Sequence, residues 1–171
     1  MFPKDLLVKR LRNELKECRR TFRHKFIIKD KSFKKFPIEI MVNLVDCPGP
    51  IWKDGKISTK YEHKLKIVIT EEYPFQTPIV RWKSNIFHPN IMPPEDGGYV
   101  CTKLIEGWTF RSNLVAFIKG IEILLANPNP DSPFETDTCT RAAEYFNKNS
   151  YSPSEIKRKK PVILGENGKN K

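Results

Sequence analysis

Hydrophobic residues recur with two different periods along the first half of the chain. Between residues 4 and 20 apolar positions return at helical spacing among charged neighbours, which predicts an amphipathic helix with one buried stripe. This stripe consists of Leu7, Leu11, Leu15 and Cys18. From Phe36 to Val45 the period changes to two, which predicts a strand with one buried face.

Three more segments have the composition or the alternation of strands. They are residues 26–29, 65–69 and 79–82. Between the second and third strands, Cys47-Pro48-Gly49-Pro50 and Asp54-Gly55 are typical of turns. Short connections between four successive strands favour an antiparallel meander.

The second half of the chain predicts a long loop followed by two helices. Residues 88–111 are rich in proline and lack periodicity, and loops of this length are usually functional or disordered. Ser112 or Asn113 can cap an apolar helix that ends at the breaker 127–130, and Thr136 or Asp137 can begin another that ends near Asn149. The predicted fold class is therefore α+β, with an N-terminal helix, a four-stranded antiparallel meander, a long loop and two C-terminal helices.

The length of 171 residues fits one core domain, which we place at residues 1–152. Residues 153–171 are polar and basic and contain few large apolar groups, so we expect a disordered tail. The chain has neither a signal-peptide pattern at its start nor an apolar run long enough to span a membrane, which predicts a cytoplasmic protein.

The formal net charge is +11, and much of the excess lies in the first 36 residues and after Lys157. Such clusters either coat a solvated helix face and a tail, or dock onto an acidic protein or nucleic acid. The four cysteines show no close paired spacing of the kind found in zinc or redox sites, so we expect free thiols and no metal.

Five short motifs occur in a fixed order and resemble the signposts of the ubiquitin-conjugating enzyme family. The resemblance covers roughly residues 4–149. In order, the motifs are Tyr73-Pro74-Phe75-Gln76-Thr77-Pro78, His88-Pro89-Asn90-Ile91, Cys101, Trp108 and Pro128-Asn129-Pro130-Asp131-Ser132-Pro133.

By this resemblance Cys101 carries a ubiquitin-like modifier as a thioester, which is reactive enough to pass an acyl group to a lysine. The residues before it, Gly97 to Val100, predict a flexible and exposed approach to the thiol. Cys18 and Cys139 lie on apolar helical stripes and are expected to be structural, which leaves Cys47 as the alternative nucleophile.

The resemblance assigns roles to five more residues near the thiol. Asn90 either stabilises negative charge during lysine attack or pins its own turn through the backbone. Asp131 and Ser132 either orient the incoming amine or form a plain turn. His88 and Pro89 are expected to support the loop.

The resemblance also implies partners and the absence of a cofactor, since ATP is used before this step. The basic first helix, with Lys9, Arg10 and Arg12, is expected to meet an activating enzyme. Pro74, Phe75 and Phe110 are expected to meet a RING-type ligase, which brings the protein substrate and its lysine.

The chain departs from the family pattern at three places. The segment between Asn90 and Cys101 is longer, Lys103 replaces a common aspartate, and Thr109-Phe110-Arg111 replaces Ser-Pro-Ala. Two alternatives stay open: a non-catalytic relative that binds modifiers, against which Cys101 argues, and a basic nucleic-acid-binding protein, although the aromatics are not interleaved with Lys and Arg.

Overall fold

A computed structural model describes residues 2–104 and 107–153 of the chain. The α+β class predicted from the sequence is confirmed. In chain order the elements are α1 (Lys4–Thr21), β1 (Lys25–Ile28), β2 (Ile38–Leu44), β3 (Gly49–Lys53), β4 (Lys56–Lys60), β5 (His63–Ile69), β6 (Ile79–Trp82), α2 (Leu114–Ala126) and α3 (Asp137–Lys148).

The main sheet contains the four strands that the sequence predicts. Its order is β1-β2-β5-β6, and each neighbouring pair is antiparallel, as in a meander. In β2 and β5 every second residue is buried, because one face of the sheet is covered by helices and the other faces solvent.

The chain between β2 and β5 forms a second, two-stranded sheet, which was not predicted. Strands β3 and β4 form this hairpin around the turn Asp54-Gly55, where both residues have positive φ. The prediction of turn chemistry at residues 47–50 is only partly right, since Gly49 and Pro50 belong to β3. The hairpin strands lack the alternation of buried and exposed residues from which the other strands could be predicted.

Both C-terminal helices begin at a capping side chain. Asn113 accepts a hydrogen bond from the Ala116 N–H, and Thr136 accepts one from the Cys139 N–H. The long segment between β6 and α2 contains only short helical turns, at Pro94–Asp96 and Thr102–Leu104, among the residues that the structure describes. The sequence prediction of a long loop here is confirmed.

The core lies between the sheet and the two helices α1 and α2. Helix α1 contributes the predicted stripe Leu7, Leu11, Leu15 and Cys18, all at most 2% exposed. Helix α2 contributes Leu114, Phe117, Ile118, Ile121, Leu124 and Leu125. A smaller aromatic cluster around Phe87 and Phe146 attaches α3 to the domain.

One largely buried carboxylate joins three parts of this core. Glu14 of α1 accepts hydrogen bonds from the Tyr73 hydroxyl and, at 3.0 Å, from the Leu114 N–H at the start of α2. Its other oxygen accepts from Arg10 Nε at 2.6 Å. Arg10 also donates to the carbonyls of Phe110 and Ser112, at 3.1 and 2.7 Å. We call Arg10, Glu14 and Tyr73 the clamp, because they fix the loop between β5 and β6 and the loop that precedes α2 to the first helix.

Within residues 2–104 and 107–153, no helix combines the length and the apolar character that a membrane span requires. The tail predicted for residues 153–171 lies outside the described residues except for Pro153, and the domain boundary stays a prediction.

We expect Glu14→Ala to lower the free energy of unfolding by roughly 2 to 4 kcal/mol, because it leaves three donors, including a buried tyrosine hydroxyl, without their acceptor. The matched control is Glu17→Ala in the same helix, where the carboxylate is 55% exposed and pairs with the exposed Arg20. That change should cost less than about 0.5 kcal/mol. Urea unfolding measures the free energy of unfolding of both variants. Equal losses would show that the Glu14 carboxylate adds no more stability than an exposed one.

Candidate active site

Of the four cysteines, Cys101 alone is not buried. Burial raises the pKa of Cys18 to about 12, and it also raises the pKa values of Cys47 and Cys139. These three thiols therefore stay protonated and enclosed near neutral pH. Cys101 is half-buried and lies within the long segment between β6 and α2, so it is the thiol that another protein can reach.

The approach to Cys101 is held by backbone hydrogen bonds, so the prediction of a flexible, exposed segment at residues 97–100 is only partly right: Gly97 and Tyr99 are exposed, whereas Gly98 and Val100 are buried. The Gly98 carbonyl accepts from the Trp82 N–H at 2.6 Å, and the Tyr99 carbonyl accepts from the Met92 N–H at 2.8 Å. Gly98 has φ +68°, and a Cβ there would overlap the Trp82 backbone. Glycine is thus needed for close packing as well as for turning.

Asn90 is fully buried and connects the cysteine to the loop beyond α2. Its carbonyl accepts from the Cys101 N–H at 3.0 Å. Its side-chain amide donates to the carbonyls of Asn129 and Ser132, at 3.0 and 2.9 Å, and its Oδ1 accepts from the Asn129 N–H at 2.8 Å. Both amide protons are therefore occupied by the loop. These contacts pin the 129–132 loop and not the turn of Asn90 itself, which was the expected alternative. The oxyanion role stays a prediction that requires one of them to be released.

His88 supports the turn that contains Asn90 by connecting it to α2. Its Nδ1 accepts from the Asn90 N–H at 3.0 Å, and its Nε2 donates to the Leu124 carbonyl at 2.9 Å. Burial lowers the pKa of His88 to about 3, so the ring is neutral and enclosed. Pro89 is buried too, and its carbonyl accepts from the Phe134 N–H at 3.0 Å. These contacts are those of the structural roles expected for both residues.

Asp131 and Ser132 are exposed on the loop that Asn90 holds. The Asp131 N–H donates to Asn129 Oδ1 at 3.0 Å, which closes the turn and leaves the Asp131 carboxylate toward solvent. The partner that sequence reasoning missed is Asn129, whose backbone and side chain organise this turn. Its signal was present in the Pro128-Asn129-Pro130 motif, but the residue itself carries no reactive group.

The three residues expected to meet a ligase divide into two kinds. Phe75 and Phe110 are 59% and 55% exposed, as a docking anchor requires. Pro74 is buried, and its carbonyl accepts from Trp108 Nε1 at 2.9 Å. Pro74 therefore joins the two exposed loops instead of offering its own ring as contact surface.

The basic residues of α1 also differ in their availability. Lys9 is exposed, and Arg12 is exposed while donating to the Ser32 carbonyl at 3.2 Å. Arg10 is occupied by the clamp described above. Lys9 and Arg12 are thus better placed than Arg10 for an encounter with an acidic partner.

The buried side chains of His24 and Cys47 and the half-buried Glu122 have the residue types of a metal site, with ligand atoms within 4.8 Å of one another. The Val45 N–H donates to His24 Nδ1 at 3.1 Å, so the neutral ring carries its proton on Nε2 and donates it to Glu122 at 2.5 Å. Nε2 then has no lone pair for a cation. The contacts are those of a hydrogen-bonded triad between the sheet and α2, and they occupy the buried Cys47 thiol.

Comparison with known proteins gives consistent matches. The family model described as ubiquitin-conjugating enzyme matches residues 10–154. Human ubiquitin-conjugating enzyme E2 T is 30% identical over 118 residues, which cover 64% of this chain and 51% of that protein. The SUMO-conjugating enzyme SCE1 of Arabidopsis thaliana is 30% identical over 134 residues, which cover 75% of this chain and 78% of that protein.

Several of the matched curated relatives are aligned over only about half of their own length. Among solved structures, a Plasmodium yoelii protein assigned as a ubiquitin conjugating enzyme aligns with a TM-score of 0.61 and 25% identity, covering 87% of each chain.

We expect Asn90→Ala to lower the melting temperature markedly, since it removes three side-chain hydrogen bonds between the cysteine segment and the 129–132 loop. Asn127→Ala, at an exposed helix end, is the control and should melt near the parent temperature. At a temperature where circular dichroism shows the variant folded, the oxyanion role predicts a roughly hundredfold slower discharge to lysine with loading nearly intact. Equal losses of loading and discharge would leave only the pinning role.

Stability should fall as the pH is lowered below about 6.5, the ordinary pKa of histidine. In the folded protein burial lowers the pKa of His63 to about 4 and that of His88 to about 3, so between these values and 6.5 the unfolded chain binds more protons. Each histidine then contributes a slope of about 1 kcal/mol per pH unit.

The matched variant is His88→Gln, which keeps an N–H donor and cannot titrate. Between pH 6 and 5 its free energy of unfolding, measured with urea, should change by about 1 kcal/mol less than that of the parent chain. Parallel curves would mean that His88 is not a buried neutral group.

Proposed function

Because the chain belongs to the ubiquitin-conjugating enzyme family, we propose that Cys101 carries ubiquitin or a ubiquitin-like modifier as a thioester and transfers it to a substrate lysine. The observation that carries the proposal is the environment of the four thiols. Three are buried, whereas Cys101 is accessible and its backbone is fixed to Asn90. A carrier needs one reachable thiol in a rigid frame.

Loading is a thiol exchange. The Cys101 sulfur attacks the carbonyl carbon of the modifier that is linked to a cysteine of the activating enzyme. A new C–S bond to Cys101 forms and the old one breaks. The thiol of the activating enzyme leaves with the proton that Cys101 gave up. No redox change occurs, and no cofactor is required at this step.

Discharge is an aminolysis. The neutral lysine amine attacks the thioester carbonyl, the C–N bond forms, the C–S bond breaks, and the Cys101 sulfur leaves and takes up the proton that the nitrogen loses. The ammonium group must first lose its proton, and the exposed Asp131 carboxylate on the loop held by Asn90 is the group we assign to orient or accept it. Ser132, exposed beside it, supplies a hydroxyl for hydrogen bonding to the same amine.

Two surfaces are proposed for the protein partners. The exposed rings of Phe75 and Phe110 lie on loops joined by the Trp108–Pro74 hydrogen bond, and a RING-type ligase is the proposed partner there. Lys9 and Arg12 on α1 are proposed to meet an acidic surface of the activating enzyme. Since Arg10 and Glu14 hold the Phe110 loop to α1, the two surfaces share one support.

The proposal includes two classes of modifier, ubiquitin and ubiquitin-like proteins such as SUMO. Relatives named for ubiquitin and for SUMO both match the chain, so both modifiers must be offered in the assay. The other candidate from the sequence, a modifier-binding protein without thioester chemistry, is disfavoured by the accessible thiol of Cys101.

We expect Cys101→Ala to abolish the adduct that forms with modifier, its activating enzyme and ATP, because the acyl acceptor is gone. Cys101→Ser should form an adduct that survives reducing agent, since an oxygen ester resists thiol exchange. Non-reducing and reducing gel electrophoresis distinguish these products. Cys47→Ala is the control and should still load; persistence of the adduct in Cys101→Ala together with its loss in Cys47→Ala would move the carrier role to Cys47.

A further inference from the structure

A basic groove of about 630 Å³ lies at one end of the main sheet, where β1 and β5 begin and β2 and β6 end. Four separate segments of the chain meet there. The cations that line it are Arg23, Lys25, Lys60, Lys64 and Lys83. The antiparallel order of the strands brings them together, although they are up to 60 positions apart in sequence.

The positive charge of the basic groove is poorly compensated. Among the lining residues that the structure describes, Glu62 is the one carboxylate, and Asp46 nearby pairs with Arg23 at 3.2 Å. His63 in the lining adds no charge, because burial lowers its pKa to about 4. Four ammonium groups thus surround one concavity, and a multivalent anion placed there would relieve their mutual repulsion.

The lining also contains neutral groups that can donate hydrogen bonds. Ser84 accepts from the Lys64 N–H at 3.0 Å through its hydroxyl oxygen, which leaves the hydroxyl proton to be donated elsewhere. Asn43 and Asn85 contribute side-chain amides. Lysine ammonium groups combined with hydroxyl and amide donors are typical of sites that bind phosphate oxygens.

The shape and the apolar content of the basic groove disfavour a macromolecular partner. Within residues 2–104 and 107–153 the lining includes no Phe, Tyr or Trp, so single-stranded nucleic acid finds none of these rings there on which to stack. Leu44 and Val45 are the apolar members, and Leu44 is 1% exposed, so a partner protein has no exposed anchor. A volume of this size instead suits a small ligand.

We propose that the basic groove binds a compact anion carrying several phosphate groups. The site is separate from Cys101 in the chain and does not depend on thioester chemistry. The phosphates would occupy the space between Lys60, Lys64 and Lys83, with the Ser84 hydroxyl as an uncharged donor.

Calorimetric titration of the full chain with inositol hexakisphosphate tests this proposal. We compare the double variant Lys64→Gln/Lys83→Gln with the control Lys53→Gln/Lys56→Gln, which removes the same charge from exposed positions at the tip of the β3–β4 hairpin. The groove variant should bind roughly tenfold or more weakly, whereas the control should stay within about twofold of the parent chain. Both variants keep the basic run at residues 157–160, so its attraction cancels.

Amide chemical-shift changes on titration locate the ligand independently of the variants. They should concentrate at residues 43–45, 60–64 and 83–85. Vesicles containing a phosphorylated inositol lipid form a second arm: binding there as well as in solution identifies a lipid headgroup, and binding in solution alone identifies a free polyphosphate. Thermal melts and thioester loading of both double variants verify that they are folded.

Two outcomes would overturn the proposal. Equal weakening by the two double variants would show that the anion follows net charge and not the basic groove. Tighter, groove-dependent binding of single-stranded RNA or of a polyglutamate peptide than of inositol hexakisphosphate would assign the surface to a macromolecule.

Discussion

The buried amide of Asn90 is the constraint on which the active-site geometry depends. It lies where three segments meet, and each of its polar groups is occupied: the backbone by His88 and Cys101, the side chain by Asn129 and Ser132. An uncompensated amide at this depth would be costly, so the segments are held together or separate together. The position of the Cys101 backbone is therefore tied to that of the loop carrying Asp131.

A second polar contact connects the first helix with the proposed docking loops. The clamp ties α1 to the Tyr73 loop, to the Phe110 loop and to the start of α2. A lone carboxylate would be unfavourable at this depth, and Arg10 compensates it while donating to two carbonyls. The consequence for function is that Arg10, which the family resemblance assigns to an encounter with another protein, first serves the fold.

Charge along the chain and charge in space give different information. In sequence the excess of Lys and Arg is concentrated near the ends of the chain. In the folded domain an additional cluster of positive charge arises, because the antiparallel strands bring Lys25, Lys64 and Lys83 to the same end of the main sheet. None of these lysines is conspicuous in the sequence, where each has ordinary neighbours.

The sequence by itself determined the elements in which buried residues recur with a regular period. Through its motifs it also marked Cys101 among the four cysteines. The period of α1, β2 and β5 is a local property of the chain, so these elements could be predicted directly. Three features could not be predicted in this way, because they depend on contacts between distant residues. They are the β3–β4 hairpin, the burial of Pro74 and the ordered backbone at Gly98. Tertiary structure alone decided which loop the Asn90 side chain contacts, since only the fold brings Asn129 and Ser132 within hydrogen-bonding distance of its amide.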